Sequence, residues 1–262
     1  MLEIVVLAVI QGIAEFLPIS SSGHLVILGA LMGQLSDSPT LEVILHAGTL
    51  GSIVVVFWRR IFRLLTSDQR VVPLLIVGTI PAVLVGLTIR ANFESILRNP
   101  ALSGAMLLVT AAMLMVLGRI PEKEGAYRSM NLLAALMVGC FQAFAILPGV
   151  SRSGSTILGG RLMGLSNEDS VTFSFLLAIP AILGATLLTL KDLWAQHAAG
   201  TSIDFSINQL LLGAGISFVF GIIALRWLIG WSRQDRLHWF AWWCIPVGIL
   251  AIAHFGLGLL HP

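Results

Sequence analysis

A 23-residue segment recurs half a chain length later, and this duplication constrains the fold more than any other feature. Residues 11–33 (QGIAEFLPISSSGHLVILGALMG) align without gaps with residues 142–164, which lie 131 positions later in a chain of 262. Nine of the 23 positions are identical, where chance in so biased a composition gives roughly two or three. In the first copy these are Gln11, Ala14, Ser20, Ser22, Gly23, Gly29, Leu31, Met32 and Gly33. The sequence therefore predicts two copies of one structural unit.

The two copies differ at the positions that could perform chemistry. Glu15 aligns with Ile146, Ser21 with Arg152, and His24 with Ser155. We therefore expect a duplicated scaffold that carries two different halves of one site.

The composition is that of an integral membrane protein. Hydrophobic residues make up 57% of the chain and charged residues 11%. Stretches without Asp, Glu, Lys or Arg cover 71–89, 99–118, 129–151, 170–190, 205–225 and 237–262, and most reach the roughly 20 residues that a spanning helix needs. An all-α, polytopic helical bundle is the predicted fold class. The net charge of +2 is too small and dispersed to indicate nucleic-acid binding.

Each copy is predicted to form a re-entrant helix hairpin followed by three transmembrane helices. A short apolar segment, a break rich in Pro, Ser and Gly, and a second short segment precede three longer ones. The segments are 2–17, 22–33, 41–61, 71–89 and 101–118, then 130–147, 154–164, 170–190, 205–228 and 237–260. The chain is interpreted as a single membrane domain, with repeat 1 at 1–118, a linker at 119–129 and repeat 2 at 130–262.

Three crossings in each copy invert the second copy relative to the first. With this topology, ten basic residues fall on one side of the membrane and three on the other, while Arg152 and Arg161 remain inside the second hairpin. The positive-inside rule makes the richer side cytoplasmic. Both termini and the first hairpin are then expected to face outward, the periplasmic side of a bacterial inner membrane.

Gln11 and Glu15 are four residues apart, so a helix places both on one face at membrane depth. An intramembrane carboxylate is costly, which favours a functional role. The alternative is that Glu15 is protonated or bonds to the serine-rich turn that follows. His46, in the first full span, is interpreted as a packing residue or as a neighbour of the site.

The breaks themselves carry polar groups. Pro18 to His24 (PISSSGH) combines three hydroxyls with a glycine, and backbone N–H groups at the start of the second arm can face an anion. Ser21 and His24 have helical spacing, so the imidazole could exchange a proton with the serine. Helix capping is the alternative explanation of these serines.

The second break (LPGVSRSGST) places Arg152 among hydroxyls and glycines in an apolar region. An arginine at this depth needs an anionic partner, and its planar fork suits phosphate oxygens. A buried ion pair between Arg152 and Glu15 is the structural alternative, and both roles could coexist before substrate arrives. A carboxylate, a Ser/His pair and an arginine on two broken helices suit chemistry on a phosphate ester or pyrophosphate.

At QGIAE, FLPISSSGH and LPGVSRSGST the chain closely resembles the bacterial undecaprenyl-diphosphatase family, the BacA-type enzymes associated with bacitracin resistance. The likeness covers essentially the whole chain. It implies removal of the terminal phosphate from undecaprenyl diphosphate, giving undecaprenyl phosphate for reuse in cell-wall synthesis. The expected partner is thus a polyprenyl diphosphate lipid, and a homodimer is left open.

The resemblance also implies which residues are catalytic, and our mechanistic hypothesis adds a substrate-binding set and a cation site. The catalytic set is Glu15, Ser21, His24 and Arg152. The substrate-binding set, which adds the N–H groups of both breaks, is Ser20, Ser22, Gly23, Ser151, Ser153, Gly154 and Thr156. A divalent cation, Mg²⁺ or Ca²⁺, is expected at Gln11 and Glu15, although many family members have glutamate at the position of Gln11.

Two questions stay open at the level of sequence. Ser21 could attack the terminal phosphorus with His24 as proton carrier, or a water activated at Glu15 and His24 could attack directly. The rival function is a secondary transporter or flippase of the polyprenyl phosphate lipid, because inverted repeats with broken helices are also a transporter architecture.

Overall fold

The computed structural model describes residues 1–32, 38–92, 94–198 and 205–256. In these residues the chain forms ten α-helices and no strand, apart from an isolated bridge between Gly125 and Leu165. The helices are α1 (Leu2–Ala14), α2 (Ser21–Met32), α3 (Pro39–Leu64), α4 (Val71–Asn92), α5 (Pro100–Leu117), α6 (Leu132–Phe144), α7 (Arg152–Leu162), α8 (Asn167–Ala198), α9 (Ile207–Ser232) and α10 (Ala241–Ala251). A π-helical turn, Ile252–Gly256, extends α10. The predicted all-α class is confirmed, while the predicted segment ends at 33 and 257–260 lie outside the described residues.

Six segments are long and apolar enough to cross a membrane. They are Thr40–Leu64, Val71–Ile89, Pro100–Leu117, Asn167–Ala195, Ile207–Ser232 and Leu237–Gly256. They correspond to the six predicted full spans. The chain is therefore a multi-pass membrane protein.

The other four helices are short. α1 and α6 have 13 residues, α2 has 12 and α7 has 11. At 1.5 Å per residue each is at most about 20 Å long, against a hydrocarbon core of about 30 Å. Each short helix alone falls short of crossing a bilayer.

The helices break at the two predicted positions, around Pro18 and Pro148. Neither proline has a backbone N–H with which to continue the helix before it. The chain reverses through a residue in the left-handed region, Ser20 at φ 68° in the first break and Gly149 at φ 96° in the second. Such a conformation is costly for serine, and it sets the direction in which α2 leaves the turn.

The helices that begin the two halves of the chain each pack on a helix of the other half. α1 lies against α9, and α6 lies against α4. The second crossing is close, because a Cβ atom built on Gly139 would lie 2.4 Å from the carbonyl oxygen of Gly78. The two halves of the chain are thus interleaved rather than side by side.

The main apolar core contains three phenylalanines whose rings meet at Phe175. The ring of Phe175 lies 5.7 Å from that of Phe16 and 5.9 Å from that of Phe57, and all three side chains are buried. α3 is kinked at Phe57, where the backbone leaves helical geometry (φ −102°, ψ 15°). The kink divides α3 into a part beside the breaks and a part that ends in arginines.

A buried arginine ties α7 to the segment after α5. Arg161 is fully buried and donates to the carbonyl oxygen of Ile120 at 2.7 Å and to the side chain of Asn167. These bonds hold the end of α7 against the start of α8 and against the segment between the two copies.

Candidate active site

α1 presents a carboxylate at its last turn. Glu15 caps the helix and is 8% exposed. The amide nitrogen of Gln11, one turn earlier, donates to Glu15 Oε2 at 3.2 Å. The prediction that helical spacing places both side chains on one face is confirmed.

Arg152 meets this carboxylate from the other copy. It is the first residue of α7, and its Nη2 donates to Glu15 Oε1 at 2.5 Å. Both side chains are buried enough that the pair is poorly screened by water. The buried ion pair that the sequence left as an alternative is therefore present.

The guanidinium of Arg152 keeps donor capacity beyond this pair. Its Nη1 is buried and has no hydrogen-bond partner among the described residues. Its Cζ lies 5.9 Å from the ring centre of Phe175. An unpaired N–H at the carboxylate can therefore serve a further anionic oxygen.

Ser21 donates to Glu15 rather than to His24. The distance from Ser21 Oγ to Glu15 Oε2 is 2.7 Å. The reversal at Ser20 turns the first residue of α2 back toward the end of α1. A carboxylate is thus already placed to accept the proton of this hydroxyl.

His24 is held by two other groups. Its Nδ1 lies 2.8 Å from the carbonyl oxygen of Ser20, and the indole nitrogen of Trp243 lies 2.9 Å from its Nε2. A carbonyl only accepts and an indole N–H only donates, so this pairing fixes the neutral imidazole with its proton on Nδ1. The two rings are nearly parallel, at 10°, with centres 6.2 Å apart.

Two residues near the site gave little or no signal in the sequence. Trp243 lies on α10 and is one of several exposed tryptophans, which are common at membrane interfaces. His46 of α3 lies with its Nε2 3.8 Å from Glu15 Oε2, which makes it a neighbour of the site.

The two breaks meet at the N-termini of α2 and α7. A Cβ atom on Gly23 would lie 2.6 Å from the Cα of Gly149, so only glycine fits at this crossing. Ser20 Oγ accepts from the Gly23 amide at 3.2 Å, and Ser151 Oγ accepts from the Gly154 amide at 3.1 Å. Both termini direct the positive ends of their helix dipoles toward this crossing, which favours an anion there.

The remaining residues of the predicted substrate-binding set differ in accessibility. Ser22 is exposed, whereas Ser153 and Thr156 are buried. Ser153 Oγ lies 3.2 Å from Ser151 Oγ, and Thr156 donates to the carbonyl oxygen of Arg152 at 2.8 Å. The buried side chains of Ser153 and Thr156 therefore stabilise the turn around Arg152.

Thr110 of α5 holds the second break in place. Its hydroxyl donates to the carbonyl oxygen of Gly149 at 2.7 Å and accepts from the amide of Ser151 at 2.9 Å. Both backbone groups belong to the reversal that aims Arg152 at Glu15. This role was absent from the sequence prediction.

The chain matches the family model described as bacitracin resistance protein BacA over residues 4–250. It is 65% identical to an undecaprenyl-diphosphatase of Rhodopirellula baltica, over 96% of this chain and 97% of that protein. It is 37% identical to the undecaprenyl-diphosphatases of Desulfatibacillum aliphaticivorans (97% of this chain, 99% of that one) and Methanosphaera stadtmanae (96% of each). With this coverage and identity, the chain belongs to the BacA family.

Proposed function

We propose that this chain is a membrane-embedded undecaprenyl-diphosphatase, which hydrolyses undecaprenyl diphosphate to undecaprenyl phosphate and inorganic phosphate. The relatives that carry this name match nearly the whole chain. The observation that carries the proposal is the Glu15 carboxylate, which accepts from Ser21 on one oxygen and from Arg152 on the other. A base, a hydroxyl nucleophile and a cation for phosphate oxygens are thus joined in one buried cluster.

Positioning of the diphosphate falls to Arg152 and to the two helix N-termini. The free Nη1 of Arg152 and the amides at the starts of α2 and α7 offer N–H donors to phosphate oxygens. Charge that develops on these oxygens during transfer is stabilised by donors already in place.

Ser21 is the nucleophile in our mechanism. Its oxygen bonds to the terminal phosphorus while the bond from that phosphorus to the bridging oxygen breaks, and undecaprenyl phosphate leaves. The hydroxyl proton passes to Glu15, 2.7 Å away. Water then cleaves the phosphoserine, which releases inorganic phosphate and restores Ser21. His24 orients Ser20 and the start of α2 through its Nδ1.

Gln11 and Glu15 would hold a divalent cation. Gln11 Oε1 is buried without a hydrogen-bond partner among the described residues, and it belongs to the side chain that contacts Glu15. The described part of the chain has no cluster of three His, Cys, Asp or Glu that could hold a metal ion by itself, so the protein would offer only the Glu15 carboxylate and the Gln11 amide oxygen. Such a donor set fits Mg²⁺, which typically takes one or two carboxylates, substrate phosphates and water. The bound ion would supply positive charge to the diphosphate oxygens.

We further propose that the second copy is inverted and that both hairpins are re-entrant and open to the outer face of the inner membrane. The short helices α1, α2, α6 and α7, the exchange of α1 and α6 between copies, and the excess of arginine on one side support this topology. With Cys140 and Cys244 replaced by alanine, labelling of a single cysteine introduced by Glu3→Cys or Arg119→Cys tests it. Only the cysteine at position 3 should react with an impermeant reagent in intact cells.

Phosphate release by the purified full-length protein tests the activity. With a polyprenyl diphosphate in detergent, Glu15→Gln and Ser21→Ala should lose activity by two to three orders of magnitude (~10²–10³-fold), in keeping with general base and nucleophile roles. Glu3→Gln, on the same helix, is the matched control. Absence of phosphate release by the unaltered protein would contradict the proposal, and transport would replace it.

A further inference from the structure

A cavity lies where α3 and α9 end and α8 begins. Its volume is 320 Å³. The charged residues of its lining are Arg59, Arg60, Glu168 and Arg233, and the apolar part includes Phe57 and Ile229. None of these residues belongs to the site described above.

Two aromatic rings lie in the contact path from this cavity to the active site. Phe57 lines the cavity and stacks on Phe175, whose ring centre lies 5.9 Å from Arg152 Cζ. Along α3, His46 is beside Glu15 and Arg60 comes 14 residues later, about 21 Å along a helix. The cavity is therefore a separate site.

The charge of the cavity favours an anion. Three arginines face one carboxylate, and that carboxylate is shared, since Glu168 Oε1 lies 3.5 Å from Arg233 Nη2 and 3.8 Å from Arg60 Nη2. The guanidinium of Arg59 lies 5.4 Å from the ring centre of Trp58. The positive charge thus exceeds what the lining itself neutralises.

The surroundings of the cavity favour a hydrocarbon chain on that anion. The three helices are long enough to span a membrane, and the arginines at the ends of α3 and α9 mark a membrane–water interface. Trp58 at the rim is 57% exposed, and Val55, one turn earlier, is 46% exposed. A lipid bound here would place its hydrocarbon chain against these apolar side chains and its head group against the arginines.

We propose that this cavity binds the phosphate head of an anionic membrane lipid, at a site distinct from the one that hydrolyses the diphosphate. Arg60 and Arg233 hold the phosphate, and the lipid chain lies along the apolar side chains at the ends of α3 and α9. Glu168 opposes binding, because its carboxylate competes with the phosphate for the same two guanidinium groups.

Native mass spectrometry of the purified protein, titrated with phosphatidic acid, tests this site. Each arginine is expected to contribute about fivefold to binding at an anionic surface, so R60Q/R233Q should weaken binding about 25-fold. R63Q/R70Q, which removes two exposed arginines at the same end of α3 and just after it, is the matched control and should bind normally. Glu168→Gln should strengthen binding, a result that a merely structural role would not produce.

Two further probes distinguish binding of the phosphate head group from binding of the hydrocarbon chains. Diacylglycerol carries the chains without phosphate, and inorganic phosphate carries the anion without chains; neither should displace bound phosphatidic acid. Displacement by either one, or equal weakening in the two double variants, would overturn the proposal. R60Q/R233Q should still hydrolyse a short, detergent-soluble polyprenyl diphosphate, so this test can fail without the proposed function failing.

Discussion

Arg152 and Glu15 stand 137 positions apart in the chain, yet their side chains meet at 2.5 Å inside the membrane domain. Each comes from a different copy of the duplicated segment, at a position where the other copy has a different residue. Two similar segments thus contribute different residues to one asymmetric site.

Removal of Arg152 alone should lower the stability of the fold more than removal of both Arg152 and Glu15. Arg152→Ala leaves a buried carboxylate without its counter-charge, which costs about 3–5 kcal/mol of stability. The double variant Glu15→Gln, Arg152→Gln removes that uncompensated charge and should recover part of the loss. Thermal unfolding in detergent measures both, and both variants should be inactive.

Arg63→Ala, at an exposed position, is the control for this comparison. Equal melting temperatures for the single and double variants would contradict a coupled ion pair.

Trp243→Phe should lower the turnover number while leaving substrate affinity nearly unchanged. The variant keeps an aromatic ring beside His24 but removes the indole N–H that donates to Nε2. Loss of one positioning hydrogen bond of about 1 kcal/mol predicts a decrease of roughly fivefold. Kinetics should be measured together with nitrogen NMR of labelled histidine, which reports whether the proton stays on Nδ1.

Trp242→Phe provides the matched control, since Trp242 is 65% exposed and adjacent in sequence. If both tryptophan variants lowered turnover alike, a general role at the membrane interface would replace the specific one.

The sequence predicted the elements that rest on local chemistry. Proline and glycine mark both breaks, and the spacing of Gln11 and Glu15 places them on one face. The duplication also placed Glu15 and Arg152 in one site, because each break was expected to supply part of it. These inferences need only the periodicity of a helix and the cost of charge in lipid.

Contacts that depend on tertiary packing could not be predicted from the sequence. Helical spacing favoured His24 as the partner of Ser21, but the left-handed backbone at Ser20 turns Ser21 toward Glu15 instead. Trp243 reaches His24 across 219 positions, and Thr110 braces a turn about 40 residues away. Neither contact leaves a local pattern.

Thr110→Val should destabilise the protein and impair catalysis together. The valine is nearly isosteric but leaves the Gly149 carbonyl and the Ser151 amide without partners, at about 1–3 kcal/mol each. Arg152 then loses its fixed approach to Glu15, so the turnover number should fall at least tenfold. Thr88→Val, at an exposed position on α4, should change neither property.

Chelation and variants of Gln11 test the proposed cation. Gln11 and Gln142 occupy equivalent positions in the two copies, and both are buried with unpartnered amide atoms among the described residues. Only Gln11 has a carboxylate four residues later, since the residue that corresponds to Glu15 in the second copy is Ile146. Gln11→Leu should therefore raise the Mg²⁺ concentration needed for half-maximal phosphate release about tenfold, by loss of one oxygen ligand. Gln142→Leu should leave that concentration unchanged. An equal shift in both variants, or full activity after chelation, would contradict a cation at Gln11 and Glu15.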